Sequence, residues 1–113
     1  MPTFKQGDVI KVPFPYTDQP TRQSRPALVV STGSIEELHG LLWVVMITSA
    51  KNRGWPGDVQ VANLKMAGLP VLSIIRSAKI ATIEASDASK LGRISAAQTR
   101  QVARKLISEL DGS

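Results

Sequence analysis

The chain contains no cysteine, which removes disulfides, thiolate metal sites and cysteine nucleophiles. Its single histidine, His39, excludes any site that needs two imidazoles, the H-E-x-x-H arrangement among them. A Ser-His-Asp triad would have to recruit His39, and no G-x-S-x-G turn accompanies it. Long apolar runs are also missing. The longest, Leu41 to Ile47, falls far short of a membrane span. The opening residues, Met-Pro-Thr-Phe-Lys-Gln-Gly-Asp, hold no signal-peptide core. A cytoplasmic location with no membrane span is therefore expected.

What is present fits one folded domain over residues 1–113, with 42% hydrophobic and 20% charged residues. Fourteen basic and nine acidic residues give a net charge of +5 and a pI near 10.0. That balance suits nucleic acid, a membrane surface or an acidic protein as partner, without choosing among them.

Taken in order, Asp8 to Phe14 alternates, with Asp8, Ile10, Val12 and Phe14 on one face and Val9, Lys11 and Pro13 on the other. This is the period of a half-buried strand, and Pro13 puts that end at an edge or an exit. Pro15 to Gln23 reads as a polar loop, and Ala27 to Ser31 as a second strand paired with the first. Ser34 is a candidate cap for a helical turn over Ile35 to Leu38. Leu41 to Ile47 reads as a central strand covered on both faces, ending at Thr48 and Ser49. A basic loop with Trp55 follows, then a short strand at Asp58 to Val61 and a helical turn within Asn63 to Gly68. Val71 to Ile75 and Ile80 to Glu84 read as a fifth strand and a weaker sixth. A helix begins at Ser95, where Ser95 and Gln98 have capping-box spacing. Val102, Leu106 and Leu110, flanked by Ala103 and Ile107, form its apolar stripe, and Gly112 is its stop. The expected fold is mainly β with a C-terminal helix, a small twisted barrel against which that helix packs.

Polar residues at strand ends are the remaining candidates for chemistry. Arg25 precedes Pro26, which biases it to extended backbone, and a guanidinium there could meet a phosphate. The ordinary alternative is a solvated turn arginine. Thr48 is a hydroxyl directly after the most buried strand. Arg76 follows another apolar strand, with Lys79 close behind. Lys51, Asn52, Arg53 and Trp55 combine cations with an indole on which a base could stack, although Trp55-Pro56 could equally be a hydrophobic plug under the loop. Asp18 is a turn aspartate, and Glu36 and Glu37, being adjacent, do not share a helix face.

Three segments carry a resemblance: Gly7-Asp8-Val9-Ile10, Pro13-Phe14-Pro15-Tyr16-Thr17-Asp18, and Arg25-Pro26-Ala27-Leu28-Val29-Val30-Ser31. They continue in Ile47-Thr48-Ser49, in Gly68-Leu69-Pro70 through Arg76, and in Leu91-Gly92-Arg93-Ile94. Together these resemble the MazF/PemK toxins of type II toxin–antitoxin pairs. The resemblance implies an SH3-like barrel, a homodimer, a cognate antitoxin and a metal-independent endoribonuclease acting on single-stranded RNA. In it, Arg25 and Thr48 are catalytic, with Arg25 on the scissile phosphate and assisting proton transfer, and Thr48 hydrogen-bonded to that phosphate. Arg22, Ser24, Ser49, Lys51, Asn52, Arg53, Arg76 and Lys79 are the expected RNA-binding set. The RNA's own 2′-hydroxyl attacks, leaving a 2′,3′-cyclic phosphate.

Two departures stand out. Some members carry an aspartate two residues after the arginine that corresponds to Arg76, where this chain has Ala78. Some carry a histidine in the first hairpin loop, and none lies between Pro15 and Ser24. The general base is thus unassigned. The alternatives are a CcdB-like gyrase poison of the same fold and a catalytically silent RNA-binding module.

Overall fold

The computed structural model describes residues 3–13, 24–52 and 54–111. The expected loop residues Tyr16, Asp18, Arg22 and Gln23, together with Arg53 and Gly112, lie outside the described residues. Six antiparallel strands form one sheet: β1 (Asp8–Pro13), β2 (Ser24–Val29), β3 (Leu41–Ser49), β4 (Val59–Gln60), β5 (Ser73–Glu84) and β6 (Ser89–Arg93), in the order β4-β5-β3-β2-β1-β6. Helices α1 (Gly33–His39), α2 (Leu64–Ala67) and α3 (Ala96–Asp111) connect and cover it. The expected class, mainly β with a C-terminal helix, is the one observed. Among the described residues no helix is long and apolar enough to cross a membrane.

Both faces of the sheet are covered, which explains a departure from simple alternation. Ile10, Val12, Ala27, Val29, Leu42, Val44 and Met46 join Phe4, Ala81 and Ile83 in one cluster. Val9, Leu28, Val45, Ile47 and Ile75 join Val59, Val61, Ala67, Leu69, Ile94 and Val102 in the other. A half-buried strand was expected here, yet Val9 is fully buried, as is Ile10 on the opposite face, because α2 and α3 supply a second layer. Lys11, on the Val9 face, is exposed.

Several boundaries differ from the sequence reading. The second strand starts at Ser24 and ends at Val29, earlier than expected, because Pro13 and Ser24 still pair across the β1–β2 hairpin. Thr32, not Ser34, is the N-cap of α1, with no side-chain cap bond. The fifth and sixth strands are a single strand, β5, and Val71 and Leu72 lie outside it and are exposed. The ladder passes from Val45↔Ile80 directly to Met46↔Arg76, so Ser77, Ala78 and Lys79 bulge out and break the periodicity.

β6 carried no readable signal: it is an exposed edge strand whose only large apolar side chain is Leu91. Its anchor is a backbone-to-backbone approach. Gly68 caps α2 in the left-handed region (φ 71°), and a Cβ on it would overlap the Leu91 carbonyl. A Cβ on Gly92 would overlap the Met66 and Ala67 carbonyls in turn. Glycine is needed at both positions for α2 to lie against β6.

The capping box of α3 is half made. The Gln98 N–H donates to Ser95 Oγ at 3.2 Å, but the Gln98 side chain turns to the sheet, accepting from Ala62 N–H at 3.0 Å and donating to the Gln60 carbonyl at 2.8 Å. The apolar stripe of α3 is also only half used within the chain. Val102 is fully buried and Leu106 packs on the core, whereas Ile107 is 62% and Leu110 83% exposed. With Trp43 and Ile80, these line an open groove between α3 and the sheet.

Candidate active site

The end of β1, the start of β2, the end of β3 and the start of β5 meet at one margin of the sheet. Arg25 stands opposite Val12 on β1. Ala27 and Val29 belong to the same cluster as Val12, so alternation puts Arg25 on that face. On β3, Val44 and Met46 belong to this cluster too, which puts Thr48 on the same face. The β2–β3 ladder ends at Ala27↔Met46. Carrying that register two residues further sets Arg25 across from Thr48. Pro26, which has no N–H to donate, stands at the intervening position.

Arg25 is half-buried. Its Nε is buried and, among the described residues, meets no acceptor. A buried donor without an acceptor is costly, and an anion is its natural complement.

Thr48 is also half-buried and pairs with Ile74 on β5. A 3₁₀ turn over Ala50–Asn52 folds the chain back over it. The turn is held by Ala50 N–H donating to the Leu72 carbonyl at 2.9 Å and Lys51 N–H donating to Ser49 Oγ at 3.3 Å. Asn52 Nδ2 thereby reaches Thr48 Oγ1 and donates to it at 3.0 Å.

Arg76, expected at the RNA surface, points inward and is only 5% exposed. Its Nε donates to Asp58 Oδ1 at 3.3 Å and its Nη2 to Asp58 Oδ2 at 3.0 Å. The same Nη2 donates to the Asn52 carbonyl. Arg76 Cζ lies 4.2 Å from the Trp55 ring centroid, and Lys79 Nζ lies 5.4 Å from it. The indole is 44% exposed, so Trp55 is not a sealed plug but a shelf backed by a guanidinium.

The carboxylate for Arg76 therefore comes from Asp58, not from the position held by Ala78. Sequence reasoning saw Asp58 only as the start of a strand. Nothing in the local spacing links two residues eighteen apart, and the pairing appears only once the loop closes over β5. Of the other expected RNA-binding residues, Ser24 and Lys51 are exposed and Ser49 is half-buried at this margin, while half-buried Lys79 lies farther along β5, in the bulge. His39 ends α1 as a surface residue. Among the described residues no group of three or more His, Asp or Glu side chains is arranged to hold a metal ion.

Similar chains are known. A chain of a MazE–MazF crystal structure from Deinococcus radiodurans superposes with a TM-score of 0.76 at 25% identity, covering 95% of each chain. A second MazE–MazF form from that organism gives a TM-score of 0.73 at 26% identity, covering 94% of this chain and 93% of that one. An endoribonuclease solved with its cognate antitoxin, from a mycobacterial species, shares the fold at 18% identity, with a TM-score of 0.73 and coverage of 95% and 94%. Comparison with curated protein sequences finds no match. The family model for the PemK-like, MazF-like toxin of type II toxin–antitoxin systems matches residues 5–110. With nearly the whole chain matched, this protein belongs to the PemK/MazF toxin family.

Proposed function

We propose that this toxin is a metal-independent endoribonuclease of single-stranded RNA, with Arg25 and Thr48 as its catalytic residues. The observation that carries the reading is the Arg25 Nε, buried without an acceptor, on the sheet face that also bears Thr48. A phosphodiester supplies what this pair requires. Arg25 offers charge to the scissile phosphate, and the Thr48 hydroxyl donates to a non-bridging oxygen as negative charge builds there. The 2′-oxygen forms a bond to phosphorus as the bond to the 5′-oxygen breaks. The 2′-hydroxyl proton passes to a general base, the leaving 5′-oxygen takes a proton from solvent water, and the products are a 2′,3′-cyclic phosphate and a 5′-hydroxyl. Holding the 2′-oxygen in line is an orientation effect that requires no redox or thiol chemistry.

Ser24, Ser49, Lys51 and Lys79 are assigned to the flanking RNA, together with Arg22 and Arg53 outside the described residues. Arg76, neutralised by Asp58, is assigned a structural role and not an RNA contact. The groove bordered by Trp43, Ile80, Ile107 and Leu110 is assigned to a second copy of the chain. The net charge of +5 suits an antitoxin that lays an acidic segment over the RNA site.

The test is primer extension on RNA incubated with the protein in EDTA. Wild type is expected to give discrete cuts. Arg25→Ala is expected to lose about a hundredfold or more in rate with an unchanged circular dichroism spectrum. Undiminished cutting by that variant would overturn the assignment of Arg25.

A further inference from the structure

We infer that Asn52 is a positioning residue for Thr48, aiming the threonine proton at the RNA phosphate, and that the Arg76–Asp58 pair holds Asn52 in place. This rests on the reading of Thr48 as a donor to phosphate.

A threonine hydroxyl has one proton to give and two lone pairs that accept. Asn52 Nδ2 donates to Thr48 Oγ1 at 3.0 Å, which uses a lone pair and bars the hydroxyl proton from that direction. The proton must turn elsewhere. Thr48 is only half-buried and lies at the sheet margin, on the face that also bears Arg25, whose buried Nε has no acceptor among the described residues. A phosphate seated there finds the hydroxyl already turned to donate, so no rotor freedom is lost in the transition state.

Asn52 itself is exposed, and an exposed amide on a free loop could not do this. Its backbone is fixed from below: the carbonyl accepts from Arg76 Nη2, and Arg76 is locked by both Asp58 oxygens. Arg76 also stacks on the Trp55 ring, and the Trp55 backbone N–H donates to Asp58 Oδ2 at 3.4 Å. A buried ion pair thus holds the loop, the loop holds Asn52, and Asn52 orients Thr48. An arginine in this position has no need of the missing aspartate, because it acts on geometry and not on a proton.

The experiment uses the full chain and two short oligoribonucleotides containing a mapped cut site, one cleavable and one with a 2′-deoxy group at the scissile nucleotide. Wild type, Arg25→Ala, Thr48→Ala, Asn52→Ala and Asn52→Ala/Thr48→Ala are compared under single-turnover conditions with excess protein. Asn52→Ala is expected to lower the cleavage rate about tenfold, the loss typical of removing an orienting partner. Its half-saturating concentration and its Kd for the 2′-deoxy oligonucleotide stay within about twofold of wild type. In the Thr48→Ala background, Asn52→Ala costs nothing further. Arg76→Lys keeps the charge but loses the fork, and reproduces the rate loss with an unchanged Kd.

Weaker binding of the 2′-deoxy oligonucleotide by Asn52→Ala would make Asn52 a direct RNA contact and overturn the inference. So would an undiminished rate, or an equal further loss in the Thr48→Ala background. If wild type cleaves and Arg25→Ala and Thr48→Ala fail while Asn52→Ala does not, only the inference falls. If wild type does not cleave, the nuclease reading falls and takes the inference with it.

Discussion

Arg76 and Asp58 form a forked ion pair, Nε to Oδ1 at 3.3 Å and Nη2 to Oδ2 at 3.0 Å, with side chains only 6% and 11% exposed. Removing one partner strands a buried charge. Asp58→Ala is expected to cost about 3–5 kcal/mol of stability, read as a lower urea midpoint with an unchanged m-value. A loss below about 1 kcal/mol would show that the pair is effectively solvated.

Glu36 on α1 clasps the N-terminal segment, its carboxylate accepting from the Thr3 and Phe4 N–H groups at 2.9 Å each. Desolvation works against the charged form, but the Phe4 and Thr3 hydrogen bonds outweigh it and hold this carboxyl below its ordinary value. A depressed native pKa gives stability that is fully present above the unfolded value of about 4.3 and lost as pH falls through the native one. The stability difference between wild type and Glu36→Gln is expected to be constant at neutral pH and to close only in acid below that value. A difference that persists unchanged at pH 2 would mean the clasp does not depend on charge.

Gly92→Ala would drive a methyl into the Met66 and Ala67 carbonyls. Backbone cannot yield as a side-chain tip does, so a loss of about 1–3 kcal/mol is expected, with a lower thermal midpoint. Gly40→Ala is the contrast. Unlike Gly92 it carries positive φ (68°), but a Cβ there meets nothing, so only the conformational cost applies, about 1 kcal/mol.

Leu110→Glu with Ile107→Glu tests the assigned dimer face. Both side chains are largely exposed in the single chain, so the intrinsic fold should hold while sedimentation equilibrium shifts from dimer to monomer. An unchanged association state would move the dimer contact away from α3.

β1 was legible from its alternation and β3 from its continuous apolar run, although helices on the second face also bury Val9 of β1. β5 was read as two strands because Ser77 to Lys79 leave the ladder and interrupt its apolar pattern. β6 was invisible because its reasons for pairing, Gly92 against α2 and backbone bonds to β1, are tertiary. The same division runs through the candidate site. Arg25 and Thr48 were candidates by their places at strand ends, and the family resemblance singled them out. The partners of Arg76 do not, since Asp58 and the Asn52 carbonyl meet it only after a loop folds over. The apolar stripe of α3 was readable as a period, but which half would be covered within one chain was not.

The turn of Gln98 away from its own helix bears on solubility. β4 is the outermost strand on its side of the sheet, and Val61 N–H is bonded to Ser73, so the Gln60 carbonyl and Ala62 N–H point outward. Those are the groups an incoming strand from another molecule would seize, and the Gln98 amide already occupies both. One side chain thus plugs the open rim of the sheet, so this border offers no template for uncontrolled strand-by-strand self-assembly.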